Sequence, residues 1–159
     1  TQWGYWEIAY SEPGSGKDYH LHVPGAMWIA GIQTPASAVS ARIGASFTGT
    51  YTGKAEGVLI NSSGNITKLT GGTTNITVDF DPSASIPVFG SINFTGGHSL
   101  GVTSTTGAVT TSGFNAAIST ASDSNVSGTF FGPDVNGIGG NFSADFTSSQ
   151  YHGVFAGDR

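Results

Sequence analysis

The sequence predicts an all-β fold: an eight-stranded antiparallel up-and-down soluble barrel, preceded by an N-terminal strand-and-loop extension and one short helix. Three observations lead there. From Ile43 onward, apolar and hydroxyl-bearing residues alternate with a period of two, as strands with one buried face require. Turn-forming Gly, Asn, Asp and Pro recur at hairpin spacing between those stretches. The composition, with 25 Gly, 9% charged residues and many Ser, Thr and Asn, suits turns and half-buried pleated surfaces. Ten Phe, five Tyr and three Trp argue against disorder, because disordered chains are poor in aromatics. At 159 residues the chain is most simply one domain and is long enough to bury a core.

Thr1–Tyr10 reads as a strand, with Trp6, Ile8 and Tyr10 sharing one face. Ser11–Gly25 holds Pro13, Gly14, Gly16, Pro24 and Gly25 and reads as a loop. Ala26–Gln33 is a short apolar run expected to form a strand. Thr34 is placed to cap a helix with Pro35 at its first position, and Ala36–Arg42 forms about two turns. A helix that short cannot cover a sheet, so it is expected to plug one barrel end or pack beneath the entry strand. Residues 1–42 thus form an extension on a barrel of residues 43–159.

Within the barrel, Ala45, Phe47, Gly49 and Tyr51 share a face, and Tyr51–Lys54 is expected to turn into a second strand ending near Asn61. Asn61–Thr74 reads as a turn-rich loop, and Thr74–Phe80 alternates strictly up to the turn at Asp81-Pro82. Val88–Phe94 follows, then a Thr-, Ser- and Gly-rich loop over Leu100–Gly113. Phe114–Thr120, Val126–Phe131, Asn141–Phe146 and Tyr151–Phe155 complete roughly eight strands, the number at which a closed barrel is filled by its own side chains. Gly49, Gly90, Gly128 and Gly153 fall on apolar faces, as a tapered interior requires. A membrane barrel would reverse the two faces and needs strands of ~9–11 residues. The stretches here read shorter, with aromatics mid-strand, which favours the soluble arrangement.

The formal charge of −5, with Lys17, Arg42, Lys54, Lys68 and Arg159 scattered singly, leaves no basic stripe for nucleic acid and little attraction to anionic membranes. No apolar run is long enough to form a transmembrane segment. The absence of Cys excludes a disulfide framework, thiolate chemistry and Cys-based zinc sites. The chain has neither an initiator Met nor a leader, and with few Lys and many Thr, Asn and Gly it reads as an exported protein or an excised domain.

Candidate ligand-binding residues are Tyr19, His20, His22 and Trp28. On a strand, His20 and His22 would share a face and could both reach one metal ion or haem; in a solvated loop they would be incidental. Trp3, Trp6 and Trp28 could stack on a ligand or anchor the terminal segment against the barrel wall, and the second is preferred. Asp79 and Asp81 are a possible carboxylate pair, but Asp81-Pro82-Ser83 reads better as turn initiation. His98 and His152 are isolated. No nucleophile elbow, phosphate loop or Ser-His-Asp spacing occurs, so neither catalysis nor a cofactor is expected. The six Asn-x-Ser/Thr triplets are expected by chance in so Asn- and Thr-rich a chain.

The stretch GTFFGP (Gly128–Pro133), then IGGNF (Ile138–Phe142) and GVFAG (Gly153–Gly157), resembles the closing strands of the transferrin-binding-protein-B-like barrel family. FTGTYTG (Phe47–Gly53) resembles that family's first barrel hairpin. Where family members carry Ala and then Glu in the turn, this chain has Val135, Asn136 and Gly137. The resemblance implies an eight-stranded soluble barrel beside a smaller strand-rich element. It also implies a bacterial surface or secreted protein that binds host iron proteins, haem proteins or complement regulators. The expected function is therefore a non-enzymatic binding module at the outer-membrane surface or secreted. It would present Ser11–Gly25, Asn61–Thr74 and Leu100–Gly113 to an extracellular protein or a small-molecule, iron- or haem-related ligand. The alternative is a self-associating surface-layer or filament subunit that pairs through Thr1–Tyr10.

Overall fold

A computed structural model describes the backbone of residues 2–12 and 17–159 and the side chains of residues 29–159. The chain is all-β with one helix. Strands β1 (Gln2–Glu12) and β2 (Lys17–Ala30) pair antiparallel as a separate two-stranded sheet, and helix α1 (Ala36–Gly44) follows. The barrel is built from β3 (Thr48–Asn61), β4 (Ile66–Asp79), β5 (Val88–Phe94), β6 (His98–Thr103), β7 (Val109–Thr110), β8 (Gly113–Ile118), β9 (Asp123–Phe131), β10 (Gly137–Phe146) and β11 (Ser149–Asp158). Its strands run in the order β6-β5-β4-β3-β11-β10-β9-β8-β7, and a β6–β8 pairing closes the ring into eight staves, with two-residue β7 lying on β8.

Eight staves arise, but not all where the alternation placed them. The turn expected at Tyr51–Lys54 is mid-strand: β3 runs unbroken, its residues pairing with β4 on one side and β11 on the other. The Gly and Thr residues that resembled a turn are its outward face and its close-approach positions. Most of the loop expected at Asn61–Thr74 is β4, and the loop expected at Leu100–Gly113 contains most of β6. Likewise, much of Ser11–Gly25 belongs to β1 and β2, with Pro24 and Gly25 inside β2. Thr and Gly are poor turn markers here because Thr faces water on a pleated surface and Gly makes room inside it.

Helix α1 begins at Ala36 with Pro35 in the N-cap position, one residue earlier than the first helical position expected for it, and Thr34 does not cap the helix. The Thr34 hydroxyl instead donates to the Gly132 carbonyl at 2.7 Å, while its N–H bonds the Phe130 carbonyl at 2.9 Å. Gly132 N–H in turn donates to Ile32 O, so the segment before the helix is stitched to the end of β9. Val39 points from the helix into the barrel core and is fully buried.

The inward face is apolar and the outward face hydroxyl-rich, the reverse of a lipid-spanning barrel. Along β3, Gly49, Tyr51, Ala55 and Gly57 are buried, whereas Thr48, Thr50, Thr52 and Lys54 are exposed. Both β3 and β4 are 14 residues long, so strand length alone would not have separated the two kinds of barrel. Tyr51, Phe80, Phe114, Phe130 and Phe155 are fully buried and fill the interior, which is a packed core rather than a ligand chamber.

Glycine makes that aromatic filling possible. Gly128 sits directly across the ladder from Phe114, and Gly153 from Phe142. A methyl group at Gly128 would strike the Phe114 ring; one at Gly153 would strike the Phe142 ring and the Glu56 carbonyl. Each ring therefore lies flat over the bare backbone of its neighbour, burying apolar area worth ~2–3 kcal/mol per Phe. The glycines on the apolar faces thus act as the tapering residues of the interior.

Candidate binding end of the barrel

The connections divide by length between the two ends. At one end the turns are short: residues 62–65, 95–97, 119–122 and 147–148. At the other lie residues 80–87, residues 104–112 with β7 among them, and residues 132–136, together with α1 and the last residue of the chain. This second end is the mouth. Binding residues concentrate on loops that a rigid scaffold positions, and the longer loops here all open on one side.

The mouth is closed by side chains. Phe80 packs against Phe130 and Phe47, with ring centres 5.1 and 6.0 Å apart. The chain has two arginines, and both converge on Phe47: the Arg42 and Arg159 guanidinium carbons each lie 4.8 Å from its ring centre. Arg42, in the last turn of α1, complements the helix dipole and approaches Asp134 at 3.8 Å. Arg159 donates from Nη2 to Asn136 Oδ1 at 2.8 Å, and its N–H donates to the Asn136 carbonyl at 2.9 Å.

The turn held by these contacts is strained. Val135 has a φ of 58°, a region that β-branched residues rarely enter, and its side chain is fully buried. Its carbonyl accepts a 2.9 Å hydrogen bond from the buried Tyr51 hydroxyl. Burial pushes the Tyr51 phenol up to about 12, against the opposing pull of Arg159 and Arg42. Apolar insertion of Val135, the Tyr51 hydrogen bond and the Arg159 clamp together hold this conformation.

Tyr19, His20, His22 and Trp28 lie on β2, opposite Tyr10, Ala9, Glu7 and Gly4. Their side chains, like those of Trp3 and Trp6, lie outside the described residues. His98, expected to be isolated, is not: its Nδ1 is 2.9 Å from the Tyr151 hydroxyl, and Tyr151 packs edge-on to Phe146. Asp81 is a turn residue, as its Pro-Ser context suggested. Its Oδ1 accepts from both Ser83 N–H and Ser83 Oγ, which hold its carboxyl below the usual range, and Asp79 Oδ1 accepts from Asp81 N–H. Among the described residues, no three His, Asp or Glu side chains are grouped to hold a metal.

The mouth cluster of Phe47, Tyr51, Phe80, Val135 and the arginines was missed as a unit because its members are far apart in sequence. One signal was available: the two arginines stand at the entry to the first barrel strand and after the last, which an up-and-down barrel must bring together.

Fold and mouth define a class, a filled eight-stranded antiparallel barrel with its longer loops at one end. No protein-family model matches the chain, and no curated protein does. Solved structures do match. Isotype 1 transferrin binding protein B from serogroup B Neisseria meningitidis superposes with a TM-score of 0.63 and 20% identity, over 99% of this chain and 30% of that one. A double mutant of transferrin binding protein B from Haemophilus parasuis gives 0.62 and 16%, over 98% and 32%. Intact Ap-TbpB, with N and C lobes, gives 0.59 and 15%, over 97% and 38%. The resemblance carried by the closing strands therefore holds as a resemblance of fold. The chain spans about a third of the length of each of these proteins.

Proposed function

We propose that the chain is a non-enzymatic binding module, displayed on a bacterial cell surface or secreted, that uses the mouth loops to hold an extracellular partner. The observation that carries this reading is the gathering of residues 80–87, 104–112 and 132–136 at one end of a rigid, filled barrel. The likeness of fold to transferrin-binding proteins favours an iron-carrier protein as the first partner class to test. Residues 1–42 act as an accessory element docked on a barrel of residues 43–159. Tyr19, His20, His22 and Trp28 on β2 remain candidates for a small-molecule contact, haem included.

The test is to immobilise the protein and measure binding of iron-loaded transferrin and lactoferrin, with haemin titrated separately. Saturable binding of either carrier that weakens when residues 82–86 are replaced by Gly and Ser supports the reading. Failure of both carriers, together with failure to capture any serum protein, refutes it. For haemin, an absorption shift unchanged by His20→Ala/His22→Ala removes those histidines from the account.

A second reading rests on its own observation. Strand β1 pairs with β2 in a sheet separate from the barrel, and among the described strands nothing pairs with its other edge. A second copy adding there would give a self-associating subunit. Light scattering that finds a monomer at high concentration, with or without residues 1–10, excludes it.

A further inference from the structure

The outer wall of the barrel carries a groove that shares residues 104–108 with the mouth loops but opens beside them, on the strand face. It lies beside the β6–β8 seam, where only Val102–Ile118 and Thr103–Ala117 pair, and is an open depression of about 560 Å³. Its walls are the turn of residues 104–108 on one side and the outward face of β8 on the other. Every lining residue is uncharged, and Thr103, Ser104, Thr105, Thr106 and Asn115 supply hydroxyl and amide groups. The walls are fixed in place: Asn115 N–H donates to Ala108 O at 3.0 Å, Ala108 N–H to Thr105 O at 3.2 Å, and Val88 N–H to Ser104 Oγ at 2.8 Å.

An aromatic residue outside the lining neighbours this groove on the adjacent strand. Phe89 pairs with Thr103 across β5–β6 and with Thr77 across β4–β5, and it is 46% exposed. The same wall continues in register through Thr50 and Thr77, whose hydroxyls are 2.9 Å apart, and through Ser91, Asn93 and Ser99. The last three are linked by Asn93 Nδ2 donating to Ser91 Oγ at 2.9 Å and Ser99 Oγ donating to Asn93 Oδ1 at 2.6 Å. An uncharged groove lining that carries hydroxyl and amide groups, beside an exposed ring, matches a ligand with many hydroxyls on one face and C–H bonds on the other. It is poorly matched to an acidic or basic protein surface, which would lose hydration here without gaining a counter-charge.

We propose that this groove and Phe89 form a binding subsite for a neutral glycan. Thr105, Thr106 and Asn115 bond the sugar hydroxyls, and the apolar face of one sugar ring stacks on Phe89. The subsite shares the loop of residues 104–108 with the mouth, whereas Phe89 on β5 and Asn115 on β8 lie outside the mouth loops, so substitutions at these two positions test it separately from the partner held at the mouth.

Affinity electrophoresis tests it, with dextran, laminarin or galactomannan in the gel. At least one of the three is expected to retard the protein. Phe89→Ala, an exposed position that the core does not need, is expected to weaken that retardation about fivefold, the loss of one stacking contact. Asn115→Ala is expected to weaken it as well. Absence of retardation by all three polymers overturns the proposal, as does equal retardation of the wild type and both variants. Retardation by heparin and by none of the neutral polymers overturns it too, because charge would then be the determinant.

Discussion

Tyr51→Phe probes the plug at the mouth and gives a pH-dependent signature. The substitution removes only the hydroxyl that donates to Val135 O at 2.9 Å, in a position with no exposed side-chain surface. Below pH 10 the lost hydrogen bond, with a buried carbonyl left short of its donor, costs about 1–2 kcal/mol. At alkaline pH the sign changes. The folded phenol titrates at about 12 against 10.0 in the unfolded chain, so its contribution is fully present below pH 10 and is lost as pH rises toward 12. That difference in proton affinity corresponds to roughly 2–3 kcal/mol, withdrawn from the wild type and not from the variant, which has no phenol there. Urea unfolding followed by circular dichroism at about pH 8, 10, 11 and 12 should give two stability curves that converge and cross near pH 11. Parallel curves with a constant offset would show that Tyr51 titrates normally and that the hydroxyl is not a buried donor to the strained turn.

Single contacts elsewhere give further expected outcomes. Thr74 Oγ1 is buried and has no hydrogen-bond partner among the described residues, so Thr74→Val should raise stability by about 1 kcal/mol in urea unfolding. Gly153→Ala should lower stability by ~1–3 kcal/mol or prevent folding, because the new methyl meets the Phe142 ring and the Glu56 carbonyl. Gly44→Ala, at the end of α1 with nothing near its added methyl, should instead stabilise by up to ~1 kcal/mol. The Asp81 carboxyl should titrate below the usual aspartate range in an NMR pH series and move back toward it in Ser83→Ala.

Fold class was legible because alternation reports burial directly: each stave shows its inward residues, such as Val126, Gly128 and Phe130 on β9. Strand ends were less legible. The strand count agrees although two boundaries do not: the turn expected at Tyr51–Lys54 falls inside the single strand β3, and the loop expected at Leu100–Gly113 covers most of β6. Both have the same cause: Thr and Gly serve equally in turns and on an outward or close-packed strand face. Helix α1 was found from Pro35, but the role of Thr34 was not, because its partner Gly132 is 98 residues away. The candidate site was hardest to read. His98 and Tyr151, and Tyr51 and Val135, meet only through the barrel, as do Arg42 and Arg159 with Phe47; apart from the placement of the two arginines before the first and after the last barrel strand, the sequence carries no signal for such groupings. The sequence did supply the glycines opposite the buried rings, which explain how so many aromatic side chains fit one small barrel.

The central claim is that the mouth, and not the short-turn end, is the binding face. It is tested most directly by comparing two loop variants for capture of the same serum partner. In one, residues 82–86 are replaced by Gly and Ser; in the other, residues 62–64. Loss of capture by the first variant with full retention by the second is the predicted result. Retention by the first and loss by the second would contradict the account.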